Sequence, residues 1–322
     1  IIHSLNEKKI ATYNYFNQQT LENIYSPIHM PSIGKIKKEN IIILIMESYS
    51  KEFIGFHNNG IGYTPFLDSL MQHSLNFTNA YSNGLKSIEA LPAITASIPA
   101  LMSGPFITSN YAQNNFKSIA HHLTEEGYNT SFYHGGIRGT MGFYSFSKRA
   151  GFTNYFGMEE YNNDKDFDGC WGIYDGPFMK FFANNLNIKQ EPFFSTFFSL
   201  SSHPPYNLPE NYTTSVNKKI GIKETIKYTD HSMREFFKKV KNQKWFRNTI
   251  FIITADHTAS TNYNKKYKNK IGRYAIPLVI FKGDSSLKGI NTNIVQQIDV
   301  MPTILKMINY QKSYFAFGKS MF

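Results

Sequence analysis

The sequence predicts an α/β fold in three layers, a mostly parallel central sheet with helices on both faces. Two runs carry most of that prediction. Residues 40–46 (Asn-Ile-Ile-Ile-Leu-Ile-Met) and 249–254 (Thr-Ile-Phe-Ile-Ile-Thr) are apolar or β-branched at nearly every position. They are too apolar for half-exposed strands and too short for typical helices, so both read as strands buried on both faces. The third observation is order: strand-like and helix-like segments alternate along the chain, as in a doubly wound sandwich, and no internal repeat interrupts them.

The 322 residues suit one large domain or two, and 41% hydrophobic with 16% aromatic residues can bury a sizeable core. A net charge of +11 suggests anionic company: nucleic acid, an anionic membrane surface or phosphorylated substrates. The single cysteine, Cys170, excludes an intrachain disulfide and any multi-cysteine metal cluster. No apolar run approaches the ~18 residues of a membrane span. The chain opens at Ile1 without an initiator Met, so a signal or membrane segment is expected upstream.

Residues 1–38 read as a polar lead-in with helical turns near 5–24 and loops at Ser26-Pro27 and Met30-Pro31. After the strand at 40–46, helical periodicity with a Thr cap and an early Pro marks 64–75. A short strand is expected at 77–81. Ile88, Leu91, Ile94, Ile98 and Leu101, spaced at threes and fours, predict a helix over 87–102 that Pro92 kinks or delays. A helix near 115–126 closes at Gly127, and strand 128–133 ends at His134-Gly-Gly with Arg138 close by. Helix 176–187 precedes strand 192–200, which delivers Ser201-Ser-His203-Pro-Pro-Tyr206. Helix 222–242 leads back to the strand at 249–254. The run 275–281 reads as a strand with Pro near its start, as edge strands allow, and a helix begins near Gln297.

Ligand-type groups gather where strands should end. Glu47 follows the first buried run, Asp256-His257 the second. In open α/β sheets ligands bind outside the carboxyl ends of strands. Charged groups placed there need a partner, either a shared metal ion or the donors of a following turn that they cap. Ser87, beside Lys86 at the start of a helix, is open to two readings: a plain N-cap, or a nucleophile whose oxyanion the helix N-terminus favours. His134 and His203 also arrive at strand ends, where histidine is commonly just hydrogen-bonded structure. A second Asp-His pair, Asp230-His231, falls in mid-helix, where neighbours diverge, and reads as structural with Asp230 bonding nearby backbone. The loop after His257 carries Lys265, Lys266, Lys268, Lys270 and Arg273, either a solvated loop or an anion-attracting rim.

The spaced set Leu44-Ile-Met-Glu47-Ser48, Asn83-Gly-Leu-Lys-Ser87, Ser-Ser-His203-Pro-Pro-Tyr206, Thr254-Ala-Asp256-His257-Thr258, Tyr274-Ala-Ile-Pro-Leu-Val-Ile-Phe281 and Gln297-Ile-Asp299-Val-Met-Pro302-Thr303 resembles the sulfatase-like branch of the alkaline phosphatase superfamily. Within it, the resemblance is to the lipoteichoic acid synthase and phosphoglycerol transferase group, over about 39–310. It implies a catalytic domain over 39–322, with about 258–322 contributing a small C-terminal subdomain. Glu47, Ser87, Asp256 and His257 match the ligands of one divalent metal, manganese first, with zinc or magnesium as alternatives. Ser87 also matches the nucleophile, usually Thr in this group. His134 and His203, with Lys86 alongside Ser87, match the substrate-holding side, and Trp171 and Asp175 fall in a motif near the substrate cleft of relatives. The arginine that grips substrate in lipoteichoic acid synthases has no match; Phe143 and Tyr144 stand near its place.

The resemblance implies a membrane-anchored enzyme with an extracytoplasmic catalytic domain. Its partners would be an anionic phospholipid or phosphorylated glycan, and no nucleic acid. The expected activity is transfer of a phosphoglycerol-like or phosphoethanolamine-like group through a phosphoserine. The alternatives are a phosphodiesterase or sulfatase-type hydrolase, or a non-catalytic binding domain. Formylglycine sulfatases need Cys or Ser followed by x-Pro-x-Arg, and Ser87-Ile-Glu-Ala-Leu lacks both the Pro and the Arg.

Overall fold

The two β-branched runs lie side by side at the centre of the protein, where every side chain of 40–46 and 249–255 is buried. Burying each of Ile41, Ile42, Ile43, Leu44 and Ile45 stabilises the fold by about 1.5–3 kcal/mol relative to exposure. The computed structural model describes residues 11–212, 220–260 and 263–322. Residues 5–10 of the expected early helical turns, and Asn262, lie outside the described residues.

In chain order, α1 (Gln18–Ile24) and β1 (Ile28–His29) precede β2 (Asn40–Met46), α2 (Pro65–Met71), β3 (Leu75–Tyr81), α3 (Ser87–Ala96), α4 (Ile119–Glu125) and β4 (Asn129–His134). Then come α5 (Phe143–Arg149), β5 (Asn154–Phe156), α6 (Met158–Tyr161), α7 (Asp175–Asn187), β6 (Phe193–Phe198) and α8 (Ile222–Val240). The chain finishes with β7 (Thr249–Ala255), β8 (Leu278–Lys282), β9 (Gly289–Gln296), α9 (Val300–Met307) and β10 (Tyr314–Phe315).

Eight strands form one sheet in the order β5-β4-β6-β2-β7-β8-β3-β9. Among the described residues of this sheet, only the pairings of β8, with β7 and with β3, are antiparallel. The mostly parallel sheet and its helices agree with the predicted fold class. Parallel strands share a direction, so β4, β6, β2 and β7 all deliver their carboxyl ends to one edge. Met46 pairs with Ala255, and Ile45 and His134 each pair with Phe198. The residues that follow therefore emerge almost level. Helix α8 turns Ile222, Ile226, Met233, Phe236 and Val240 inward, and Phe236 stacks on Phe182 of α7 at 5.3 Å between centroids. The lead-in is tied down at β1, which pairs antiparallel with β10 in a separate two-stranded sheet.

Two sequence expectations need correction. The strand at 275–281 is not an edge: β8 starts at Leu278, after Pro277, and lies between β7 and β3. Proline is tolerated because it precedes the ladder rather than joining it. The helix expected over 87–102 starts on time, with Pro92 inside it, but stops at Ala96. Ser97 turns left-handed (φ 56°), and its hydroxyl donates to the Ile298 carbonyl at 2.7 Å. Pro99 follows, and a residue before proline disfavours helix.

Candidate active site

Level strand ends bring Glu47 and Asp256 together, and α3 brings Ser87 to them. Glu47 is 2% exposed and Asp256 fully buried. Their carboxylates and the His257 ring offer ligand atoms that all lie within 4.8 Å of one another. Ser87 is the first helical residue, with Lys86 at the cap position, so its hydroxyl is not spent capping. It points instead to Glu47 Oε2 at 3.1 Å and His257 Nε2 at 3.2 Å. The Ser87 hydroxyl thus lies with Glu47 and His257 rather than in a capping bond.

The chain around these groups aims them. Ser48 leaves β2 left-handed (φ 57°). From there its hydroxyl donates to Glu47 Oε1 at 2.7 Å and its N–H to Asp256 Oδ1 at 2.8 Å. Glu47 N–H donates to Ser199 Oγ at 2.8 Å, just past β6. His257 Nδ1 lies 2.8 Å from the Thr258 carbonyl. A carbonyl only accepts, so Nδ1 carries a proton and Nε2 is left facing the carboxylates, the orientation a metal-ligating histidine takes. Gln297 is fully buried, and its amide donates to the carbonyls of Ala255 and Asp256 at 2.8 and 2.6 Å. Its oxygen accepts from Asn83 N–H at 2.8 Å, tying β7 to the loop that carries Ser87.

Electrostatically the cluster places two buried carboxylates against one imidazole. Burial, then the Glu47 charge, pushes the Asp256 carboxyl up to about 8. Burial also works against ionised Glu47, yet His257 and nearby donors hold its carboxyl below the ordinary value. Burial opposes protonation of His257, but Asp256 and Glu47 outweigh it and raise its pKa. Asp256 Oδ2 is buried with no hydrogen-bond partner, although His257 Nε2 lies 3.2 Å away outside bonding geometry. A buried carboxylate oxygen without a hydrogen bond, beside a second carboxylate, an imidazole nitrogen and a hydroxyl, fits a divalent cation. Oxygen-rich ligation with one imidazole suits manganese, zinc or magnesium.

The remaining candidates fall into two groups. His134 is buried, its Nδ1 3.3 Å from the Phe198 carbonyl, and burial lowers its pKa to about 4. Glu47 and His203 are both near enough to act on it electrostatically. His203 is half-buried; its Nδ1 donates to the Pro204 carbonyl at 2.8 Å and its ring packs 4.1 Å from Trp171. Lys86 is exposed next to Ser87. Asp175, expected to contact substrate, is only 1% exposed, and its carboxylate accepts from Leu200 N–H, Ser201 N–H and the Thr229 hydroxyl. It is corrected to a buried acceptor, because protein donors already occupy both oxygens. Phe143, near the place of the missing arginine, packs 5.1 Å from the His134 ring. Arg138 is turned to Glu160 and the Tyr144 ring.

Beside His257 a cleft of about 840 Å³ is lined by Leu85, Thr258, Lys268, Lys270 and Arg273. A larger cavity of about 1040 Å³ lies against α7 and α8 and holds none of the four clustered residues. Sequence reading missed Ser48, Ser199 and Gln297 as supports. Ser48 beside Glu47 was the one available signal, since partners of the other two lie 41 or more residues away.

Residues 39–310 match the family described as Sulfatase. The chain is 28% identical to lipoteichoic acid synthase 1 of Bacillus subtilis over 92% of its own length and 50% of that protein's. It thus spans about half the length of the curated relatives it matches. Among solved structures, a protein of the alkaline phosphatase superfamily from Vibrio parahaemolyticus superposes with a TM-score of 0.77 at 30% identity, covering 87% of this chain and 69% of that one. The lipoteichoic acid synthase LtaP from Listeria monocytogenes superposes with a TM-score of 0.75 at 19% identity, covering 86% and 73%.

Proposed function

This chain belongs to the sulfatase family, and on that premise we propose that it is a metal-dependent phosphotransferase acting on phosphodiester headgroups through Ser87. The observation that carries the reading is the placement of the Ser87 hydroxyl between Glu47 and His257, at the first residue of a ten-residue helix. Glu47, Asp256, His257 and Ser87 would hold one divalent ion. When bound, such an ion neutralises charge and lowers the pKa of the hydroxyl.

The rest falls to the protein. Ser87 Oγ attacks phosphorus, the bond to the leaving alcohol breaks, and that alcohol departs with a proton. Backbone N–H groups at the start of α3 stabilise the charge that develops on phosphoryl oxygen. His203 and His134 hold the remaining oxygens. An acceptor hydroxyl then takes the group from Ser87, whose oxygen regains a proton. The relatives' name, synthase, supports transfer over hydrolysis. We assign the group as phosphoglycerol or phosphoethanolamine, the donor as an anionic phospholipid and the acceptor as a glycan or lipid. The protein would work at the outer side of a cell membrane, anchored by a segment outside this sequence. Manganese is the preferred ion.

The test is the adduct. The manganese-loaded protein is incubated with phosphatidylglycerol or phosphatidylethanolamine, and the peptide containing Ser87 is weighed. A phosphoglycerol or phosphoethanolamine increment is expected, absent from Ser87→Ala and after chelation. Cleavage of the lipid by Ser87→Ala within about threefold of the parent would place the nucleophile elsewhere.

A further inference from the structure

Nothing so far explains why the segment Trp171-Gly-Ile-Tyr-Asp175 crosses the carboxyl edge of the sheet. It touches both strand ends that carry a substrate-side histidine. On the His134 side, Gly172 bridges to Gly136, and Ile173 N–H donates to the Gly135 carbonyl at 3.0 Å. The approach is too close for a side chain: a Cβ on Gly172 would lie 2.2 Å from the Gly135 oxygen. On the His203 side, Trp171 Nε1 donates to the Pro204 carbonyl at 2.7 Å while its ring packs on His203.

Asp175 is the anchor. Its Oδ1 accepts from Leu200 N–H at 2.9 Å, and its Oδ2 from Ser201 N–H at 3.1 Å and the Thr229 hydroxyl at 2.8 Å. Its own N–H donates to Ser201 Oγ at 2.9 Å. One buried carboxylate thus fixes α7, α8 and the turn that runs from β6 to His203. At the other end of the segment, Asp168 Oδ1 accepts from the N–H groups of Cys170, Trp171 and Gly172 at 2.7–3.1 Å.

We propose that residues 171–175 form a strap that sets the position of His203 relative to His134, and that Asp175 and Trp171 are positioning residues for phosphoryl transfer rather than substrate ligands. The inference rests on the phosphotransferase reading for its kinetic arm only. A displacement of a substrate-holding ring by an ångström costs rate without touching the nucleophile or the metal ligands. Strap variants therefore separate turnover from metal binding.

The experiment uses Asp175→Asn, which keeps the shape but turns one acceptor into a donor, and Trp171→Phe, which keeps a ring but loses the donor to Pro204. Turnover is followed on bis(p-nitrophenyl) phosphate, Mn²⁺ affinity by calorimetry, and the imidazole signals of His134 and His203 by NMR of histidine-labelled protein. Asp175→Asn is expected to lower kcat by about tenfold to a hundredfold and Trp171→Phe by less, with Mn²⁺ affinity within about threefold of the parent. In a His203→Ala background, Asp175→Asn should add less than about twofold, since it acts through that ring. The His203 signal should move in both variants while the His257 signal holds. Thr229→Ser, which keeps the donor, should behave as the parent. Loss of Mn²⁺ affinity in step with kcat, an undiminished effect in the His203→Ala background, or an unmoved His203 signal would overturn the strap. Should Asp175→Asn fail to fold, the more exposed Trp171→Phe decides the same question. If the parent cleaves no diester, the phosphotransferase reading fails, while the NMR arm still judges the strap.

Discussion

Asp256-His257 and Asp230-His231 are the same dipeptide on two kinds of element. Both aspartates are at most 1% exposed. Burial pushes both carboxyls up, Asp256 to about 8 and Asp230 to about 7. By burial and acidity alone they would rank together. Their partners separate them. Asp230 accepts from Phe66 and Leu67 N–H, each at 2.9 Å, capping the first turn of α2 from another helix. His231, one residue on along α8, turns away to Arg234 at 2.8 Å. Asp256 keeps one oxygen unpaired, and His257 swings to the same side as Glu47 and Ser87. A perturbed acid marks a site when its donors are missing, not when its environment is merely dry.

The largest expected effect breaks that comparison directly. Asp256→Asn should lower kcat/KM by about a thousandfold or more, since it removes a charge from the proposed metal site, while Asp230→Asn stays within about threefold. Parallel assays on one diester decide it; comparable losses would mean the helical pair is not merely structural.

A smaller effect concerns stability. Burial raises the Asp230 carboxyl from the ordinary carboxylate range to about 7. An acid raised in this way contributes fully below its unfolded pKa and loses that contribution as pH rises through the folded one. The stability of Asp230→Asn relative to the parent should therefore climb between about pH 4 and pH 7, by at most about 4 kcal/mol. Urea melts near pH 5 and near pH 8 measure the difference; a flat difference would contradict the raised pKa.

The smallest effect belongs to the lysines of the loop that follows the strand-end pair, of which Lys268 and Lys270 line the cleft beside His257. Neutralising Lys265, Lys266, Lys268 and Lys270 together should raise KM for an anionic diester by about threefold to tenfold, with little change in kcat. Exposed charges are screened, so the effect should vanish near about 0.5 M salt. A salt-independent loss of kcat would instead make the lysines structural or catalytic.

Much of this contrast was legible in the sequence. Asn40–Met46 and Thr249–Ala255 announce themselves because a strand buried on both faces has no polar alternation to blur it, and the acids at their ends follow from position alone. Asp230-His231 reads as structural for a different reason, its mid-helix place, where adjacent side chains diverge. What stayed hidden depends on contacts distant in sequence. Asp175 finds its partners 25, 26 and 54 residues away, so nothing local distinguishes a substrate ligand from an anchor. Pro277 looked like an edge marker because the chain does not say which strands flank it. The end of α3 is set by Ser97 meeting Ile298, 201 residues on.

The pairing of Met46 with Ala255 carries a further meaning for how such enzymes change over time. The spacing between Glu47 and Asp256 is inherited from main-chain bonds in the middle of the sheet, so no loop has to be tuned to keep it. Loops are then free to vary. The His203 turn and the lysine-bearing loop can then change while the edge that carries Glu47 and Asp256 stays as it is.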